Sequence, residues 1–240
     1  MKKHIFLFAA LITLAVSSCS FWGFVSVDPS GQYIAKKIQT ASFENVSVSS
    51  GFELILTQDS LKELIIETYE NIHSYIVVEV VDNTLKIHPE DGINFSGDPN
   101  VKIHLSCNFL KKLSSSGGGH INLNNGWTAD ELRISLSGGG NVTGKVLLKS
   151  LELDMSGGSE SDLEGVAEYL SISSSGGSVH KHFSLLSKKC RADMSGGASA
   201  EVNVSEKLIV DASGGTTIRY KGNPEISSEL SGGSSIEKVE

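Results

Sequence analysis

Leu151-Glu152-Leu153-Asp154-Met155-Ser156-Gly157-Gly158 is followed, 19 residues on, by Leu170-Ser171-Ile172-Ser173-Ser174-Ser175-Gly176-Gly177. Apolar side chains recur at every second position in both stretches, and both end in Ser-Gly-Gly. A period of two is the signature of a strand with one buried face. Outward from this pair, the triplet stands at Ser116, Ser137, Ser156, Ser175, Ser195, Ser213 and Ser231, at intervals of 21, 19, 19, 20, 18 and 18 residues. A flexible Gly/Ser linker has no reason to keep a period, so the triplets mark a structural repeat.

The alternation continues upstream of the other triplets, as in Leu132, Ile134 and Leu136 or Leu208, Val210 and Ala212. A second short apolar stretch follows each corner, for example Ile121 and Leu123 or Val202 and Val204. A repeat of this length cannot bury its own apolar face, and stacking on its neighbours solves that. The spacing therefore predicts an all-β, parallel β-solenoid with coils of about 19 residues and Ser-Gly-Gly corners. The paired glycines, Gly117 and Gly118, Gly138 and Gly139, Gly157 and Gly158, Gly176 and Gly177, Gly196 and Gly197, Gly214 and Gly215, and Gly232 and Gly233, are read as structural corners. A corner needs positive φ or a close approach between coils, and both disfavour a Cβ. A phosphate-cradling loop is excluded, because such loops are single, lead into a helix and follow other glycine spacings. A hexapeptide helix is excluded because no apolar marker recurs every six residues.

Residues 43–100 lack the triplets but alternate: Val46 and Val48, Leu54 and Leu56, Leu64 and Ile66, Leu85 and Ile87. Asp82-Asn83, between two such runs, predicts a hairpin turn. This part is expected to open the same solenoid, with its first edge covered. The N-terminus reads as an address. Lys2 and Lys3 precede an apolar run of 12 residues, Ile5 to Val16, shorter than the roughly 20 that a spanning helix needs. Val16-Ser17-Ser18-Cys19 resembles a lipobox. The predicted organisation is a signal peptide at 1–18, a lipidated Cys19 with a tether to residue 42, and one solenoid domain over 43–240. Without residues 1–18 the formal charge is 18 − 28 = −10. Such a chain, without a basic cluster, is a poor partner for nucleic acid.

Phe43-x-x-Val46-x-Val48, Phe52-x-Leu54-x-Leu56-x-Gln58, Glu70-Asn71-Ile72, Asp82-Asn83-x-Leu85-x-Ile87 and the later Ser-Gly-Gly coils together resemble the family called putative auto-transporter adhesin, head GIN domain, earlier a domain of unknown function. The resemblance covers roughly residues 43–235. It implies a right-handed parallel β-helix-like fold on exported, often lipidated proteins of Bacteroidetes-type bacteria, and it brings no catalytic residues.

Further expectations concern single residues. Cys107 and Cys190 continue inward alternations four coils apart, or about 19 Å at strand spacing, too far for a disulfide. His180 and His182, two apart on a strand, lack a third ligand and are read as surface residues rather than a metal site. Trp127 follows Asn124-Asn125-Gly126 in the longest interval, so it is placed on a bulging loop, where it folds back on the wall or, if exposed, is a binding candidate. Asp193, Asp211 and Glu229 form the acidic end of an outward column that also contains Ser114, Ser135, Asp154 and Ser173. These are binding candidates, with Arg191 and around the corner Arg219 or Lys221 as countercharges. No metal or cofactor is expected. The functional reading is a non-enzymatic envelope lipoprotein, a binding or scaffolding module held to the membrane by its lipid, with glycan or an envelope protein as partner. The alternative is a polysaccharide lyase or hydrolase using the acidic column. Ser20 after the lipidated cysteine resembles the proteobacterial sorting rule, which implies the outer membrane. Phe21-Trp22-Gly23-Phe24 does not resemble the acidic export signal of surface lipoproteins in Bacteroidetes, which implies the periplasmic side over the cell surface.

Overall fold

The computed structural model describes residues 25–240. Cys19 and the signal segment lie outside them. The central strands His120–Leu136, Asn141–Met155, Glu160–Ser174, Val179–Met194 and Ser199–Ala212 pair in parallel, each with the strand one coil on. The predicted β-solenoid is the fold. Between corners, the in-out alternation slips at two bends, at 124–126 and 130–131 in the first of these strands, so each coil has three walls. The first wall follows the Ser-Gly-Gly corner (120–123), the second is short (127–129), and the third (132–136) leads to the next corner. Inward side chains such as Leu151, Leu153 and Met155 are no more than 3% exposed, and burial of each contributes roughly 2 kcal/mol.

At the corners, the first glycine carries positive φ in all seven triplets. A Cβ on Gly157 (φ +77) would stand 2.5 Å from the carbonyl oxygen of Gly138 in the coil beneath. That closeness arises because the Gly138 carbonyl accepts a 2.7 Å hydrogen bond from the Gly158 N–H. At the later corners the second glycine is different, and the expectation that both are sterically required is corrected there, while Gly118 in the first triplet keeps a left-handed φ of +102. A Cβ on Gly158, Gly177, Gly197 or Gly215 would make only ordinary contacts of 3.8 to 3.9 Å, and at Gly139 it would meet nothing within 4 Å. A fourth position joins the motif. Ser159, Ser178, Thr216 and Ser234 each donate a hydroxyl hydrogen bond of 2.8 to 3.1 Å back to the carbonyl of the triplet serine.

Residues before the first triplet continue the stack. Asn45–Val48 pairs in parallel with Lys112–Ser115 on one side and Thr84–Pro89 on the other, and 53–56 pairs with 120–123. This register puts Ser50 (φ +63) at the position of the first glycine. Both walls then end in antiparallel strands. Ile76–Val81 folds onto Thr84–Pro89 through Asp82 and Asn83, whose positive φ values of 49° and 58° are those of a type I′ turn. On the first wall, Glu63–Tyr69 runs antiparallel to Lys102–Cys107, and Tyr33–Ile38 pairs antiparallel with Glu63–Tyr69. The tether assignment is corrected accordingly: Tyr33–Ile38 is an edge strand of the domain, and Val25–Val27 pairs with Ile93–Phe95.

Candidate binding groove

The third wall meets the Ser-Gly-Gly corners along one edge of the molecule. Outward side chains on that wall must fall into columns, because parallel strands in register repeat every position about 4.8 Å along the stack. Register pairs link Ser47, Ser114, Ser135, Asp154, Ser173, Asp193, Asp211 and Glu229 in that order, one per coil. Beside this column runs that of the triplet serines. Between them lies an open groove of about 640 Å³, reaching from Ser47 to Ser213. Hydroxyls can donate and accept, so the groove presents a repeating ladder of both.

The acidic end of the groove is partly neutralised from within the wall. Arg191 donates from Nε and Nη2 to the two carboxylate oxygens of Asp193 at 2.8 and 2.9 Å. This bond and the nearby Asp211 hold the Arg191 guanidinium above its usual pKa. Arg133 donates to Asp154 at 2.7 Å one coil away. Asp211 makes no ion pair among the described residues, and Glu229 is exposed on the strand Glu225–Leu230. Arg219 and Lys221 do not reach the column, contrary to expectation. Arg219 donates to Glu201 at 2.8 Å, and both cations lie against the Phe183 ring.

Two sequence readings are overturned. Trp127 is 1% exposed. The longest coil interval is taken up by a bulge at 124–126, where register shifts between Leu123 and Trp127, and the indole re-enters the core at the start of the second wall. Gln58 pins that bulge, donating to the Thr128 carbonyl at 2.7 Å and accepting from the Thr128 N–H at 2.8 Å. His180 and His182 are likewise buried, not on the surface. Their rings stand edge to face with centroids 5.6 Å apart. The Ser161 hydroxyl bridges them at 2.9 and 3.0 Å, and Ser174 holds the other nitrogen of His180 at 3.1 Å. Burial pushes the His180 imidazole down to about 4, and burial with the His180 neighbour lowers His182 well below its usual value. Cys107 and Cys190 are buried free thiols, pushed by burial up to about 11 and about 12 and so unreactive at neutral pH. Among the described residues no three or more His, Cys, Asp and Glu side chains gather as a metal site.

The model of the putative auto-transporter adhesin, head GIN domain family matches residues 42–224. The chain belongs to this family. As a head GIN domain it resembles a crystal structure from Bacteroides fragilis described as a putative adhesin, with TM-score 0.83 and 26% identity, covering 89% of this chain and 100% of that one. A structure from Parabacteroides distasonis described as a putative lipid binding protein gives TM-score 0.74 at 22% identity, covering 90% and 100%. A putative adhesin from Parabacteroides merdae gives 0.71 at 22%, covering 90% and 99%. No curated protein sequence matches the chain. The seven triplet corners of this head GIN domain lie mostly within the matched span, the last one, at Ser231, beyond it.

Proposed function

We propose that this head GIN domain is a lipid-anchored binding module of the cell envelope, and that its groove takes an extended, hydroxyl-rich polymer, a glycan strand. The observation that carries the reading is the column of triplet serines, Ser116 to Ser213, running along the groove beside a second column of serines interrupted by Asp154, Asp193 and Asp211. A ligand with its own short repeat can bond coil after coil, and many weak hydrogen bonds then act together by effective concentration. The relatives described as adhesins are consistent with binding. The pairing of Asp154 and Asp193 with arginines weighs against the lyase alternative, because a general base or a calcium ligand needs its oxygens free.

The test is retention of envelope polysaccharide fractions on the immobilised domain, with new reducing ends and unsaturated products assayed in parallel. Retention without products, lost when Ser135 and Ser173 are both replaced by Leu, is the expected result. Products would establish the lyase alternative, and no retention of any fraction would remove the glycan reading. Anchoring is tested separately. Cys19→Ser should release the protein from the membrane fraction, and protease treatment of intact cells should leave it uncut if it faces the periplasm.

A further inference from the structure

The bend between the second and third walls carries its own column, on the far side of the third wall from the serine groove. Ser150, Tyr169, Lys189, Lys207 and Glu225 are register partners on successive coils. Two lysines thus stand about 4.8 Å apart along the stack, in a chain of formal charge −8. The carboxylates nearby are taken by other cations or, at Glu225, lie at the edge of ion-pair distance. Asp193 is occupied by Arg191 at 2.8 Å and Glu168 by Lys188 at 2.9 Å. Glu225 comes no closer to Lys207 than 3.8 Å, with its side chain 76% exposed. Among the described residues no carboxylate pairs with Lys189. What positions Lys189 is Tyr169, whose ring centre lies 5.6 Å from the ammonium, a cation–π contact. The tyrosine is itself 50% exposed.

Beside this column an open surface pocket of about 220 Å³ is lined by Ser150, Tyr169, Ser171, Lys189, Arg191 and Lys207. We propose that this pocket binds one anionic sugar residue of a glycan, with its carboxylate, sulfate or phosphate group between Lys189 and Lys207. An ammonium accepts any of those anions as a point charge. The selection of a sugar comes from the rest of the pocket. Tyr169 and Ile209 offer apolar surface to the C–H face of a pyranose, and Ser150 and Ser171 offer hydroxyls to its ring substituents. The inference rests on the reading of the third wall as a glycan-binding face, and it adds the charge of the glycan.

The experiment is calorimetric titration of the whole protein with an oligogalacturonate, with the same oligomer after reduction of its carboxyls, and with inorganic sulfate alone. The acidic oligomer should bind, weaken as salt is raised, and lose about tenfold or more in affinity in Lys189→Gln/Lys207→Gln, since charge-assisted bonds are lost. Tyr169→Ala should lose affinity, while Tyr169→Phe should keep it. Thermal melts of these surface variants should stay within a few degrees of the parent. Equal binding of the acidic oligomer by the double lysine variant would overturn the proposal. So would equal binding of the acidic and reduced oligomers by the parent, although glycan binding as such would then stand. Binding of sulfate alone as tightly as the oligomer would overturn the assignment to a sugar. No binding of either oligomer would overturn this proposal and count against the glycan reading as well.

Discussion

The corner at Ser156-Gly157-Gly158 and the corner at Ser49-Ser50-Gly51 occupy the same place in the coil, yet only one needs glycine at its second position. Both backbones are left-handed there, with φ +77 at Gly157 and +63 at Ser50. The difference lies beneath them. Gly157 sits on the Gly138 carbonyl, where a Cβ would come within 2.5 Å. Below Ser50 the chain between Ile87 and Val101 leaves the stack to form Ile93–Phe95, which pairs with Val25–Val27, so no tight corner lies there. Positive φ alone costs a residue with a Cβ about 1 to 2 kcal/mol, and a chain can bear that. Stacking adds a clash that cannot be relieved without parting the coils.

The largest effect is expected at the stacked corner. Gly157→Val should lower the unfolding free energy by at least roughly 3 kcal/mol, from backbone strain and displacement of the coil beneath, as read from urea denaturation. A loss below about 1 kcal/mol there would break the comparison. Acid should produce an effect of similar size on a different contrast inside the stack. One coil fills its first wall with Ser178, His180 and His182, and the next with Ala198, Ala200 and Val202. The histidine pKa is lowered on folding, so the unfolded chain binds more protons between the two pKa values. Stability is therefore unaffected above about pH 6.5 and falls as pH drops from there to about 4, where the His180 contribution levels off. The shift corresponds to roughly 3 kcal/mol for His180 at about 1.4 kcal/mol per pH unit. Denaturation midpoints across that range should fall less in His180→Ala/His182→Ala than in the parent.

Gly232→Val tests the corner in the last described coil. The clash with the Gly214 carbonyl is 2.9 Å, and the strand before it, Glu225–Leu230, is exposed along its whole length. With more room to shift, the loss should be milder, about 1 to 2 kcal/mol. The smallest change has the opposite sign. Ser50→Gly removes left-handed strain and should stabilise by about 0.5 kcal/mol once the added freedom of the unfolded chain is counted. A destabilisation would show that the Ser50 side chain holds the opening corner.

Much of this was legible at the corners because the same backbone constraint falls on the same residue in every coil. The small residue after each triplet, Gly119, Gly140, Ser159, Ser178, Ala198, Thr216 and Ser234, was equally visible as a fourth motif position. The hydroxyl bond that Ser159, Ser178, Thr216 and Ser234 make there emerged only with the turn geometry. The histidines read as surface residues by their chemistry but as core residues by their pattern. Counted from the corner, His180 has the same register as Ser161 and Ala200, an inward position, and parity outweighs polarity. Before Trp127 the longer interval reads as a loop, whereas the extra residues form a bulge and Gln58, 70 residues from Thr128, ties it down.

By itself the sequence determined the solenoid, its period, its corners and the column joining Asp193, Asp211 and Glu229, because parallel strands in register turn a linear period directly into spatial neighbours. The tertiary structure alone decided what those columns face. Whether a glycine meets a carbonyl, whether Asp211 finds a cation and whether Lys189 and Lys207 share a pocket with Tyr169 depend on distances between coils and on side-chain placement. A one-dimensional repeat carries neither.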